Sequence, residues 1–184
     1  MKKKIVLLGD SIRLIGYGTL LPELIKDDFD VWQPEENSMY VQHVLRQLFN
    51  FRNKIDEADI IHFNSGEWDV CNLFGDGTFN SLDEYSRQLG RIADVLLKKG
   101  KTVVFATTTP VRDANWHNSN YDIREFNKDA LEVLEPKGII INDLYSVVAE
   151  DINGNICEKD NIHLTEKGIK LCAEATAKLL KNLK

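Results

Sequence analysis

Along the chain, short apolar runs alternate with stretches in which apolar residues return every three or four positions. Five runs read as strands: residues 4–8, 29–32, 59–63, 102–106 and 138–141. They are rich in β-branched residues and lack a polar–apolar alternation, as suits strands covered on both faces of a parallel sheet. Between them lie helical patterns. Val41, Val44, Leu45 and Leu48 form one. Ser81-Leu82-Asp83-Glu84 is a capping box, followed by Tyr85, Leu89, Ile92 and Leu96 and closed by Gly100. Ile123, Phe126, Ala130 and Val133 form a third, ending before Pro136. Thr165 caps a last helix with Ile169, Cys172, Ala175, Leu179 and Leu183 inward. The alternation, without repeat or linker, predicts one three-layer α/β/α domain over residues 1–184, built on a five-stranded parallel sheet.

That architecture says where function sits. In open parallel sheets, ligands bind beyond the carboxyl ends of the strands, near the switch in strand order. The segments there are Gly9-Asp10-Ser11, residues 33–38, residues 64–69 and residues 107–112, all richer in polar groups than a turn requires.

Composition narrows the picture only slightly. The 184 residues are 43% hydrophobic and 28% charged, the balance of a soluble globular chain. A net charge of −6, scattered rather than blocked, argues against nucleic acid or an anionic membrane as partner. Cys71, Cys157 and Cys172 are odd in number, widely spaced and without a CxxC pair, so they read as reduced thiols of a cytoplasmic protein and not as a disulfide framework or zinc site. The apolar stretch 5–8 is too short for a signal-peptide core, and no run approaches a membrane span.

Candidate chemistry begins at "LLGDSIRL". Gly9-Asp10-Ser11 reads either as a plain strand-to-helix turn, with Gly9 for the turn and Asp10 or Ser11 as helix cap, or as a turn that presents Ser11 as a nucleophile at the end of the first strand. A serine hydroxyl needs a base, and the base a group that holds its tautomer. Of four histidines, His43 lies in a helical pattern and His62 in a strand, while His117 sits in a loop with no carboxylate arranged beside it. His163 differs: in Asp160-Asn161-Ile162-His163 a turn brings carboxylate and imidazole together, so Asp160 can accept from Nδ1–H. Asp143, at the end of the fifth strand, is the rival carboxylate. Donors for an oxyanion are the Ser11 N–H, the Asn64 side-chain amide, and a backbone N–H at Ser38 or Asn37.

Together these residues resemble the SGNH (GDSL-like) hydrolase superfamily: G-D-S after the first strand, an Asn-bearing loop after the third, and D-x-x-H before the last helix. The resemblance spans nearly the whole chain. It implies a flavodoxin-like sheet, serine-ester chemistry, no metal and no cofactor, with Ser11 as nucleophile, His163 as base, Asp160 as its partner, and an oxyanion hole from Ser11, Ser38 and Asn64. Two blocks depart from the pattern. Ser38 or Asn37 stands where a glycine is usual, and Asn64-Ser65-Gly66-Glu67 replaces G-x-N-D, with Asn and Gly exchanged.

The function so implied is hydrolysis of a small, short-chain ester through an acyl-enzyme. Trp68 and Trp116, on loops expected to border the cleft, suit the faces of an O-acetylated carbohydrate, or else pack the loops beneath them. An acyltransferase or thioesterase would use the same residues. A non-catalytic flavodoxin-like binding domain is the alternative from another class, but "GDSIRLIGYG" lacks a phosphate-cradling pattern. The expected partner is a small-molecule or carbohydrate ester, with no nucleic acid or membrane; the oligomeric state is not inferred.

Overall fold

The computed structural model describes residues 2–183. Five strands form one parallel sheet: β1 (Lys3–Leu8), β2 (Phe29–Trp32), β3 (Ile60–Asn64), β4 (Thr102–Ala106) and β5 (Ile140–Asn142), in the order β2-β1-β3-β4-β5. Ile5 lies opposite Ile60 and Ile60 opposite Thr102. The third and fifth strands run one residue further than the sequence pattern suggests, because pairing with β4 carries Asn64 and Asn142 into the ladder beside Ala106.

Both faces of the sheet are covered, which explains the apolar runs. On one face Val6, Leu8, Ile61, Phe63, Val103 and Phe105 pack against helices α2 (Val41–Asn50), α3 (Arg52–Glu57), α4 (Leu82–Lys98) and α5 (Asn120–Leu134). On the other, Ile5, Leu7, Ile60 and Val104 meet α1 (Leu21–Ile25), α6 (Leu144–Ala149), α7 (Ile152–Asn155) and α8 (Glu166–Lys181). The side chain of Ser81 accepts from the Glu84 N–H, and that of Thr165 from the Gly168 N–H, as their sequence signatures require. Gly100 takes φ +70° just beyond α4, a left-handed stop that glycine makes without steric penalty. No helix among the described residues is long and apolar enough to cross a membrane.

The chain enters the sheet at β1, adds β2 on one side, then crosses to add β3 on the other. The switch in strand order therefore falls between the carboxyl ends of β1 and β3, where the segments bearing Ser11 and Asn64 emerge side by side.

Candidate active site

Ser11 follows β1 and opens a helical segment, Ile12–Gly16, wound with the wide π-type turn. Its own N–H precedes the first bond of that segment and finds no acceptor among the described residues. Asp10 shapes the turn: its buried Oδ1 accepts from the Ile12 N–H at 2.9 Å and from Asn64 Nδ2 at 2.7 Å. Burial pushes the Asp10 carboxyl up from its ordinary value, against the pull of the Asn64 and Ile12 donors. Gly9 must lack a side chain, since a Cβ would come within 1.9 Å of Asn64 Oδ1 and its φ is +157°.

His163 ends a closed loop. The Cys157 N–H donates to the His163 carbonyl at 2.7 Å, and Ile156 bridges Leu164 in antiparallel fashion. Within this loop Asn161 takes φ +63°, a left-handed conformation that asparagine tolerates. The turn so formed lets Asp160 Oδ1 accept from the backbone N–H groups of Ile162, at 3.1 Å, and His163, at 2.9 Å. Its other oxygen lies 3.1 Å from His163 Nδ1. Partial burial raises the Asp160 carboxyl, but the two backbone donors and His163 outweigh it and leave it below its ordinary value. The carboxylate is thus anionic and aimed at Nδ1, which leaves Nε2 as the ring nitrogen outside this turn. The rival Asp143 is elsewhere: it caps α6 through Ser146 and accepts from Thr107.

Ser11 and His163 line one cleft of about 400 Å³. Tyr40, Leu73, Phe79 and Ile162 give it an apolar wall, on which Tyr40 and Phe79 stack with centroids 5.2 Å apart. Trp68 lines it too, whereas Trp116 stands just outside the lining, three-quarters exposed, its ring edge-on to His117. His117 itself borders the cleft, as does the buried Glu67.

One expected oxyanion donor, Ser38, is placed differently from its sequence reading. The Ser38 N–H donates to the Gly9 carbonyl at 2.9 Å, while its hydroxyl accepts from the Gly9 N–H at 2.8 Å and donates to Gln47 at 2.6 Å. Ser38 is therefore a clasp holding the loop after β2 against the end of β1, and its N–H is already spent. Its neighbour Asn37 turns its side chain back to accept from the Met39 N–H at 2.7 Å, and Met39 takes the left-handed φ of +46°, the conformation a glycine would favour, one residue after Ser38. Asn64 is 3% exposed, and its Nδ2 and Oδ1 engage Asp10 and the Tyr17 hydroxyl. One Nδ2 hydrogen remains beyond that pair.

Some contributors left little trace in sequence. Arg13 is completely buried, and its guanidinium donates to the carbonyls of Gly9, Pro34 and Glu36 at 3.0, 2.8 and 2.6 Å, sewing the loop after β2 to the Gly9-Asp10-Ser11 turn. Asp69 accepts from the Val41 N–H, the Ser65 hydroxyl and Asn80, and so ties the loop after β3 to the start of α2; burial pushes its carboxyl up to about 6. Gly66 admits Thr108, whose hydroxyl a Cβ would meet at 1.8 Å. Each signal is a polar residue beside an apolar run, which a solvated loop would show equally. Among the described residues, no group of three or more His, Cys, Asp or Glu could hold a metal ion.

No protein-family model matches the chain, and no curated protein matches it by sequence. Solved structures do match. A lipase/acylhydrolase from Enterococcus faecalis is 19% identical with a TM-score of 0.82, over 98% of this chain and 96% of that one. The acetyl xylan esterase AlAXEase is 17% identical with a TM-score of 0.80, over 96% and 99%. A GDSL-like lipase from Bacteroides thetaiotaomicron is 17% identical with a TM-score of 0.76, over 99% and 89%. Full coverage at high TM-score, with the G-D-S turn and D-x-x-H loop meeting at one cleft, places the chain in the fold of the SGNH (GDSL-like) hydrolase superfamily.

Proposed function

We propose that this protein is a serine esterase acting on small, short-chain esters. One observation carries the reading: Ser11 and His163 border the same cleft, and His163 Nδ1 lies 3.1 Å from the Asp160 carboxylate, which orients the ring and leaves Nε2 as base.

Nε2 of His163 takes the proton of the Ser11 hydroxyl as Oγ attacks the ester carbonyl carbon. The carbonyl π pair moves onto oxygen, and the free Ser11 N–H and the remaining Asn64 hydrogen stabilise that charge. Collapse breaks the bond to the alcohol, which leaves with the proton from Nε2. Water, deprotonated by the same nitrogen, attacks the acyl-enzyme, and Ser11 regains its proton as the acid departs. Asp160 stabilises the imidazolium formed in each half.

The acyl group rests on the apolar wall of Tyr40, Leu73 and Phe79. A cleft of about 400 Å³ must hold both halves of the ester, which favours short acyl chains. The exposed rings of Trp68 and Trp116, and the likeness to an acetyl xylan esterase, support O-acetylated carbohydrate as substrate. Three unpaired thiols support a reducing, cytoplasmic setting. A fluorophosphonate probe tests the nucleophile: it labels the wild type and spares Ser11→Ala, and equal labelling of both removes Ser11 from the mechanism.

A further inference from the structure

A second imidazole borders the cleft, and its proton is fixed by a chain of hydrogen bonds that begins at a backbone carbonyl. Asn118, buried, donates through Nδ2 to the Glu67 carbonyl and to Glu67 Oε2, each at 2.9 Å. A backbone carbonyl only accepts, so the amide cannot be turned the other way round. Its Oδ1 therefore faces His117, 2.8 Å from Nδ1, and an oxygen there requires Nδ1 to carry the hydrogen. The Cys71 thiol, 3.6 Å from the same nitrogen, directs its own hydrogen to the Glu67 carbonyl at 3.1 Å and does not compete.

In the neutral ring, a hydrogen fixed on Nδ1 makes Nε2 of His117 a lone-pair acceptor. It is not buried and has no partner among the described residues. A side chain so elaborately oriented, yet unused by the protein, is a group for a ligand. Its neighbours define the ligand's chemistry. A lone pair selects a donor and turns away carbonyl, carboxylate and phosphate oxygens. Glu67, the acid of this cluster, is 2% exposed, and its two oxygens already accept from the Thr109 hydroxyl and the Asn118 amide, so it turns to its protein partners and not to an ammonium group in the cleft; burial pushes its carboxyl up from the ordinary range. The edge-on ring of Trp116 at 4.7 Å flanks it with an aromatic surface of the kind that covers C–H faces. Tyr40 and Phe79 stack as an apolar wall of the same cleft, and with the acyl chain seated there this polar cluster is left to the alcohol half.

We propose that His117 is a specificity-determining residue that accepts, at Nε2, a hydrogen bond from a free hydroxyl on the alcohol half of the substrate, so that the protein prefers esters of polyols to esters of simple alkanols. This inference rests on the serine-esterase reading above.

The test uses two esters with the same acyl group and the same carbon count in the alcohol: 1-monobutyrin and n-propyl butyrate. The wild type should favour 1-monobutyrin in kcat/KM by about tenfold or more, since a site built to pair a hydroxyl rejects the analogue without it. His117→Phe should bring the ratio close to one, chiefly through a higher KM for 1-monobutyrin. His117→Gln, which keeps an acceptor oxygen, should restore part of the preference. A wild-type ratio near one, with both esters hydrolysed, overturns the proposal and leaves the esterase reading standing. So does an equal fall on both esters in His117→Phe, which would make the residue structural or catalytic. Hydrolysis of neither ester by the wild type overturns the esterase reading, and this proposal with it.

Discussion

Asp10 and Asn64, 54 residues apart in sequence, meet in a buried hydrogen bond of 2.7 Å that joins the ends of β1 and β3. In the proposed mechanism Asn64 has two duties: the amide that holds the Gly9-Asp10-Ser11 turn also gives its second hydrogen to the oxyanion. Asn64→Ala should therefore lower kcat by about 10²–10³-fold with a smaller effect on KM. It should also cost about 1–3 kcal/mol of stability, because Asp10 and the Tyr17 hydroxyl both lose a buried partner. Steady-state kinetics and denaturant melts read the two effects separately; an unchanged kcat with the stability loss would reduce Asn64 to a structural tie.

Ser11→Ala and His163→Ala should each reduce ester hydrolysis by about 10⁴-fold or more, and the double variant should be little worse than either. A nucleophile and its base work as one unit, so the losses should not add. Additive losses in kcat/KM would show that the two residues act independently.

Asp160→Asn should lower kcat by about 10²–10⁴-fold, because an amide can present its NH₂ to Nδ1 and fix the wrong tautomer. Asp143→Asn is the matched control. It keeps an Oδ1 to cap α6, where asparagine ranks with aspartate, and should leave the rate within twofold. The reverse pattern would move the orienting role to Asp143.

Arg13→Lys should destabilise the fold by about 2–3 kcal/mol, because one ammonium cannot serve the three carbonyls of Gly9, Pro34 and Glu36 that the guanidinium reaches in fixed geometry. Chemical denaturation measures it; a change within about 0.5 kcal/mol would mean that water replaces the lost donors.

Asp69 gives a pH dependence of stability. Its carboxyl titrates near 6 in the fold and near about 3.9 in an unfolded chain. Between these values the folded state holds the extra proton, so stability falls as pH rises from about 4 to 6 and is level above. Two pH units correspond to roughly 3 kcal/mol. Buried Asp10 and Glu67, also raised, act in the same direction. Thermal melts should thus give a higher midpoint at pH 5 than at pH 7.5, and Asp69→Asn, which cannot titrate, should flatten the slope. A midpoint that climbs with pH across this range would show that Asp69 stays ionised.

The layers and the chain order of the candidate chemistry are legible in local residue patterns. Short apolar runs rich in β-branched residues and bounded by turn residues read as strands buried on both faces, and the caps at Ser81 and Thr165 act within four residues, so both are written locally. Asp160 and His163 were legible for the same reason: their turn is closed by hydrogen bonds of short range. Tertiary structure decided what depends on who stands opposite. Ser38 looked like a donor for substrate because nothing in its neighbourhood shows that the Gly9 carbonyl lies against it. His117 looked solitary because its buried acid, Glu67, is 50 residues away and reaches it only through Asn118. A hydrogen-bonding group advertises its capacity in sequence, but its partner is chosen by the packing of segments that the chain brings together only when it folds.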